Sequence, residues 1–357
     1  MSEPRVLQVY PDDEGGGPVH VRMLREALGS EVRWEEMPLD PQDLHRAGGW
    51  LRVPREVGRR LAGPPAIAHA QGVRTAAAVL LAARIRRSRF VVTIQGLHSI
   101  RRSRSPLVRI LNRFVLRSAD LVLVTGASDA KTIVEERLAP SSKVRVIRPA
   151  FESRDTVDRE AARRQLHLPK DATVVLWMGR FSPEKDPLTF ARAISLIRSD
   201  SQIVAIMAGD GPLLSRVEAV VAREGLSDRL RLAGWLADPG PAVAASDLYV
   251  NTSLWEGMPH SALEAGGAGC ALVMTDCPGN RDLAATGVPA VLVPVGSAES
   301  LAAEIDNLAS DADRRGKMGG EAAAVIGRTF TTENLRDDMM SAYRELTKPG
   351  TKTVRER

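Results

Sequence analysis

Short, almost wholly apolar runs recur along this chain, and most are followed by a longer stretch in which apolar residues return every three or four positions. The run Thr173-Val174-Val175-Leu176-Trp177-Met178 carries no charge, the signature of a strand covered on both faces rather than one. Runs at 5–10, 66–70, 90–94, 121–124, 144–147, 202–207, 271–274 and 290–294 read the same way. Helical periodicity occupies 21–28, 213–223, 298–309, 313–329 and 334–346. In the last of these, Leu335, Met339, Met340, Tyr343 and Leu346 fall on one face. Strand-then-helix alternation in both halves predicts an α/β chain with two doubly wound parallel sheets. A shift at 149–153 into the charged, strand-free stretch 154–164 places a linker there. It separates a domain at 1–152 from one at 153–330 and leaves 348–357 as a polar tail.

Composition agrees: 357 residues, 44% hydrophobic and 26% charged, describe an ordinary globular chain of two domains. No apolar run approaches the roughly 18 residues of a membrane span, and the amino terminus enters a strand without a signal-like segment, so a cytoplasmic protein is expected. Cys270 and Cys277 are too few for a disulfide framework or a zinc set and read as reduced packing thiols. No Asp-x-Asp stands at a strand end; Asp311-Ala312-Asp313 lies in a polar helical stretch, and no metal site is expected.

Candidate chemistry concentrates in Trp255-Glu256-Gly257-Met258-Pro259-His260-Ser261-Ala262-Leu263-Glu264, where two carboxylates stand eight residues apart across a loop-to-helix junction. A helix beginning at Pro259 points unpaired N–H groups and a positive dipole end at whatever lies before it, and a diphosphate suits that position. Glu256 and Glu264 are then separated by about 12 Å along the axis. One can take ribose hydroxyls and the other sugar hydroxyls; ordinary capping or surface carboxylates fit the same spacing. Gly179-Arg180-Phe181-Ser182-Pro183-Glu184-Lys185-Asp186-Pro187 follows the strand at 173–178. Arg180 and Lys185 thus sit at a strand's carboxyl end, where open α/β sheets bind ligands and where two cations suit a departing diphosphate; a solvated basic loop is the plain alternative. After 202–207, Gly209-Asp210-Gly211-Pro212 permits close approach to a ligand or makes a simple turn.

In this order, Gly179-Arg180 with Lys185, Gly209-Asp210-Gly211-Pro212, Gly234-Trp235, Ser246-Asp247-Leu248-Tyr249-Val250, the Glu256 and Glu264 pair, and Thr275-Asp276 with Gly279-Asn280-Arg281-Asp282 resemble part of a known family. It is the carboxyl-terminal half of a family 4 retaining glycosyltransferase, glycosyl transferases group 1, of GT-B fold. The resemblance implies two Rossmann-like domains facing a cleft, with the last helix, 331–347, packing back on the first. It implies a nucleoside diphosphate sugar donor, UDP- or GDP-linked, and transfer to an acceptor hydroxyl with retention. On this likeness Arg180 and Lys185 hold donor phosphates, Glu256 the transferred sugar and Glu264 the ribose. Gly179, Gly209, Gly211 and the backbone of Gly257, Met258, Pro259, His260 and Ser261 close on the diphosphate. Gly234 and Trp235 border the base, Trp235 being equally suited to a core. In the first half, Gly16 or Gly17 stands where the family's glycine-rich loop approaches the donor. Many relatives place a histidine against the sugar where this chain has Gln95, which can orient but cannot carry a proton near neutral pH. His98 and His69 are the other acceptor-side candidates, against polar-surface and buried-core readings respectively. Asp282 is a second departure. No cofactor is implied, since Arg180, Lys185 and a helix dipole can carry the leaving-group charge. A nucleotide-sugar epimerase on the same fold and a non-catalytic nucleotide-sugar binder are the alternatives.

Charge adds a clue to the acceptor. From Val57 to Ala119 there is no Asp or Glu, while Arg84, Arg86, Arg87, Arg89, Arg101, Arg102, Arg104, Arg109, Arg113 and Arg117 crowd its second half. The stretch 106–116 mixes Leu107, Val108, Ile110, Leu111, Phe114 and Val115 with arginines at helical spacing. That pattern fits an interfacial helix at the inner face of an anionic membrane and a lipid-linked or polysaccharide-precursor acceptor; a core face with solvated arginines is the other reading. Few aromatics accompany the cations, which disfavours nucleic acid.

Overall fold

The computed structural model describes residues 3–12, 16–44, 46, 48–63, 66–97, 105–151, 157–198 and 202–348. Two compact units emerge, one running to Ala150 and joined by the helix that begins at Thr332, the other Phe151–Thr331.

The first unit contains β1 (Arg5–Pro11), α1 (Gly16–Leu28), β2 (Arg33–Leu39), α2 (Gly49–Arg60), β3 (Ala66–Gln71), α3 (Val73–Ile85), β4 (Arg89–Ile94), α4 (Pro106–Ser118), β5 (Leu121–Val124), α5 (Ala127–Glu135) and β6 (Val144–Val146). Its sheet is parallel in the order β2-β1-β3-β4-β5-β6. Side-chain alternation sends Ala68, Ala70, Val92 and Val124 to one face, over α2 and α3, and Ile67, Val91, Leu121 and Leu123 to the other. β2 escapes the apolar-run reading because Glu35, Glu36 and Pro38 interrupt it; its place at the sheet's edge tolerates all three.

The second unit contains α6 (Arg159–Gln165), β7 (Thr173–Met178), α7 (Pro187–Leu196), β8 (Ile203–Ala208), α8 (Leu214–Arg223), β9 (Leu230–Gly234), α9 (Gly240–Ala245), β10 (Leu248–Asn251), α10 (His260–Gly267), β11 (Ala271–Thr275), α11 (Pro278–Ala285), β12 (Ala290–Val293), α12 (Ala298–Ser310) and α13 (Ala312–Thr329). The sheet is again parallel, in the order β12-β11-β10-β7-β8-β9. β7 shows why its run is apolar throughout: Val175 and Trp177 enter one core, Val174, Leu176 and Met178 the other. At the amino end of β10, Asp247 accepts Val174 N at 2.7 Å and Arg163 Nη2 at 2.6 Å, tying α6 to the sheet. Cys270 and Cys277 are free and buried, and burial pushes the Cys270 thiol up to about 12.

The last helix, α14 (Thr332–Thr347), lays Leu335, Met339, Met340, Tyr343 and Leu346 against Val6, Ile67 and Val91 of the first sheet and packs beside α1. One expected boundary moves. α1 begins at Gly16 rather than near Val21, so Gly16 and Gly17 occupy its first turn. α4 does not turn its apolar stripe inward: it buries Asn112, Val115 and Leu116 and leaves Leu107, Ile110, Leu111 and Phe114 exposed. Among the described residues no helix is long and apolar enough to cross a membrane. The linker residues 152–156, the tail from 349, and Arg101, Arg102 and Arg104 lie outside the described residues.

Candidate active site

The strand order of the second sheet reverses between β7 and β10, since β8 and β9 are added on one side of β7 and β10 to β12 on the other. Loops leaving neighbouring strands at such a reversal diverge, and the crevice between them is where open α/β sheets take ligands. Here those loops are 179–186 and 252–259.

Glu256 and Lys185 meet across them. The Lys185 ammonium lies 2.6 Å from Glu256 Oε1, and the same oxygen accepts Ser253 Oγ at 2.6 Å and Asn251 Nδ2 at 3.2 Å. Oε2 takes none of these bonds. Burial opposes ionisation of Glu256, but the Lys185 charge and the three hydrogen bonds outweigh it and hold the carboxyl below its usual range. The sequence assigns Lys185 to donor phosphates; the structure places its ammonium on Glu256, where it fixes that carboxylate's charge and position. Arg180, two residues after the end of β7, is exposed and makes no ion pair among the described residues.

Beneath this pair runs a buried network that motif reading misses. Asn251 Oδ1 accepts Asn280 Nδ2 at 3.1 Å and Ser253 N at 3.0 Å, and Asn280 Nδ2 also reaches Thr275 O at 2.9 Å. Thr275 Oγ1 donates to Ser253 O at 2.5 Å. Thr252 Oγ1 donates to Lys185 O at 2.8 Å and accepts Trp177 Nε1 at 2.9 Å. The loops after β7, β10 and β11 are therefore one hydrogen-bonded body. The available signal was Asn251-Thr252-Ser253, three polar residues directly after an apolar strand, all nearly inaccessible in the fold.

Backbone contacts extend that body across β8 and β9. Phe181 N donates to Asp210 O at 2.8 Å, and Gly209 N to Gly234 O at 2.7 Å. A Cβ on Gly209, whose φ is +138°, would stand 1.9 Å from Gly179 O, so this glycine serves protein–protein approach rather than the ligand approach its loop suggests. Gly211 lies similarly close to the Phe181 backbone. A Cβ on Gly179 would meet only ordinary contacts, so packing does not require that glycine. Gly279 in the first turn of α11 is also enforced: a Cβ there would come within 2.6 Å of Glu256 O, so the glycine lets α11 press against the Glu256 loop.

α10 begins at His260, and Pro259 caps it instead of opening it. Gly257 and Met258 precede this turn; Met258 is in the core, so only its backbone is available to a ligand. Ser261 Oγ is 2.6 Å from the hydroxyl of the buried Tyr249, whose ionisation burial suppresses. Burial also brings His260 down to about 4 despite the pull of Glu256, leaving a neutral imidazole near pH 7. Glu264 lies half-buried one turn into α10. Trp235 is 65% exposed just after β9, which removes the core alternative.

In the first unit, the corresponding reversal lies between β1 and β3. His69 is not an edge group there. It is wholly buried, with Nδ1 2.8 Å from Gln8 Nε2 and 2.7 Å from Tyr343 Oη, and Nε2 2.6 Å from Thr93 Oγ1. Burial, then neighbouring His20, brings it down to about 3, so it is a satisfied core histidine. Gln95 does stand at an edge, directly after β4, and its buried Nε2 has no hydrogen-bond partner among the described residues. His98 lies outside the described residues. Among those described, no group of three or more His, Cys, Asp or Glu gathers as a metal site.

Comparison with known proteins matches both halves. Residues 158–325 match the family described as glycosyl transferases group 1, and residues 4–150 match the glycosyl transferase 4-like domain. Among similar proteins, the lipopolysaccharide core biosynthesis glycosyltransferase LpsE of Rhizobium meliloti is 29% identical over 49% of this chain and 51% of its own length. A D-inositol 3-phosphate glycosyltransferase of Thermobispora bispora is 30% identical over 65% of this chain and 58% of its own. The chain thus spans about half the length of the curated relatives it matches. In structure, HepE of Anabaena, solved in complex with UDP, superposes with a TM-score of 0.81 at 18% identity, covering 96% of this chain and 100% of that one. With two family matches in the expected order and this shared architecture, the chain belongs to the group 1 glycosyltransferases and has their GT-B fold.

Proposed function

We propose that the chain is a glycosyltransferase that takes a sugar from a UDP- or GDP-linked donor and moves it to an acceptor hydroxyl with retention. The observation that carries this reading is the Glu256 carboxylate, held ionised at the sheet's reversal by Lys185, Ser253 and Asn251. Its Oε2 accepts no hydrogen bond among the described residues, which suits it to sugar hydroxyls as positive charge develops at the anomeric carbon. Arg180, the amides at 257–261 and the α10 dipole take the departing diphosphate, with Lys185 shared between phosphate and Glu256; no metal or cofactor is needed for that charge. Glu264 takes the ribose, and Gly234 and Trp235 the base edge. The acceptor hydroxyl attacks from the face the diphosphate leaves, and the leaving oxygen takes its proton, so no protein nucleophile enters. Gln95 orients the sugar or acceptor.

The acceptor is a lipid-linked or cell-surface polysaccharide precursor, reached at the inner face of a membrane. The relatives that act in lipopolysaccharide core biosynthesis support this class.

A thermal-shift screen of uridine, guanosine and adenosine diphosphate sugars tests the donor. A ligand at 100 times its dissociation constant should add about 2.7 kcal/mol to stability, and Arg180→Ala should lose most of that gain. No shift with any donor removes the reading. Isomerised donor without acceptor would replace it with an epimerase.

A further inference from the structure

We propose that the outward faces of α3 and α4 together form a docking surface for a bilayer carrying anionic lipid. This rests on the membrane contact proposed above and assigns it to particular side chains; it is independent of donor chemistry.

α4 has two apolar sides, and only one is inside. Val115 and Leu116 pack on the sheet side, whereas Leu107, Ile110, Leu111 and Phe114 are 74%, 65%, 45% and 61% exposed. Their spacing puts those four on one stripe, opposite the buried one. Arg109, Arg113 and Arg117 recur every four residues and form a second exposed stripe roughly a third of a turn away. α3 packs against α4 and contributes Leu81 and Ile85, 61% and 70% exposed. The Arg84 guanidinium donates to Ser118 O and so joins the carboxyl ends of the two helices. Lys143 Nζ, from the turn just before β6, donates to Arg117 O at 3.0 Å and Ala119 O at 2.7 Å. The surface is therefore built on fixed helices.

Charge selects the occupant. The segment from Val57 to Ala119 contains no carboxylate side chain. Asp120, the next in sequence, is turned onto Phe90 N at 2.8 Å, and Glu56, the previous one, pairs with Arg59 and Arg60. Aliphatic and Phe side chains flanked by arginines, with no acidic group among them, match an interfacial helix pair: the apolar stripe enters the acyl boundary while the arginines meet lipid phosphates. A protein partner would favour an apolar centre depleted of charge and enriched in Tyr or Trp, and α4 has neither aromatic.

The test is flotation of the full chain with vesicles of phosphatidylcholine alone and of phosphatidylcholine with phosphatidylglycerol. The wild type should float only with the anionic vesicles, and less as salt rises. Ile110→Ser with Phe114→Ser, and separately Arg109→Gln with Arg113→Gln, should each weaken binding about tenfold or more while Tm and the nucleotide-sugar shift stay unchanged, since all four side chains are exposed. Variants that float like the wild type would overturn this surface and leave membrane contact standing elsewhere. No flotation of the wild type would overturn both. A dimer in sedimentation that Ile110→Ser with Phe114→Ser dissociates would assign the face to a second copy instead. A chain that floats but responds to no nucleotide sugar would keep this surface and lose the proposed transfer.

Discussion

The strand order of each sheet reverses once, and the two carboxyl edges at those reversals are built on opposite plans. In the second unit the edge is charged and closed: one oxygen of Glu256 receives Lys185, Ser253 and Asn251, and the loops behind it are cross-bonded through Thr252, Thr275 and Asn280. In the first unit the polar groups on the strands and at their ends are neutral, and the one buried carboxylate near them among the described residues, Asp129, stands in the first turn of α5. Gln8, His69, Thr93 and Tyr343 satisfy one another inside, but at the ends of β3, β4 and β5 stand Gln71 Oε1, Gln95 Nε2 and Thr125 Oγ1 with no partner among the described residues. A buried charge without partners is prohibitively costly, so an edge that carries one must be finished before any ligand arrives. A neutral edge can leave bonding capacity to water or to an acceptor's hydroxyls. The contrast supports charge handling in the second unit and a softer, uncharged recognition in the first.

The change expected to break this contrast most severely is Glu256→Gln. The amide keeps the shape but removes the charge and strands Lys185, so kcat should fall about a hundred- to a thousandfold while the donor's thermal shift persists. Initial rates with the donor and acceptor check it; a rate within threefold, roughly 0.6 kcal/mol, would move the chemistry away from Glu256. Next comes Gly209→Ala. Its Cβ has no room against Gly179 O, and φ is +138°, so a cost of about 3 kcal/mol is expected in urea unfolding, with the loops after β7 and β8 forced apart. Gly234→Ala, with a positive φ but open space around it, should cost less.

Much of this was legible beforehand, for identifiable reasons. β7, β8 and β11 are buried on both faces, so their apolar runs announce them; β2 at the edge is not, and its glutamates hide it. Glu256 and Lys185 could be placed at the same edge from their positions after strands. Their direct pairing could not, because it depends on the β7–β10 adjacency, which joins segments about seventy residues apart through the strand order. His69 shows the converse. Its strand was readable, but its face was not: a histidine inside an apolar run fits core and edge alike until Tyr343, from the far end of the chain, is seen to bond it.

That buried histidine gives the third test, of the first unit's interior. His69 titrates near 3 when folded against about 6.5 when unfolded, so the unfolded chain binds the extra proton between those values. Stability from this group is complete above pH 6.5 and is lost as pH falls toward 3, by about 2 kcal/mol at pH 5 relative to pH 7. His260, lowered to about 4, acts in the same direction in the second unit. The slope of unfolding free energy against pH measures it, and His69→Gln should flatten that slope between pH 5 and 6.5. An unchanged slope would mean that His69 takes up its proton as readily in the fold as out of it, and that the interior of the first unit carries charge after all.

The finest discrimination comes from one substitution made at both edges. Thr252→Val removes a hydroxyl that donates to Lys185 O and accepts from Trp177 Nε1, leaving two buried groups unpaired, and should cost about 1–3 kcal/mol. Thr125→Val keeps the same shape and removes a buried hydroxyl that bonds to nothing among the described residues, so stability should stay within about 0.5 kcal/mol or rise. Measured in the same denaturant series, a large cost at Thr252 beside a negligible one at Thr125 would confirm a closed edge and an open one. Equal costs would mean that Thr125 is already satisfied by ordered water, and the distinction between the two edges would then lie in charge alone. A rise in the acceptor's KM on Thr125→Val, with the donor's unchanged, would show that the spare hydroxyl serves the acceptor.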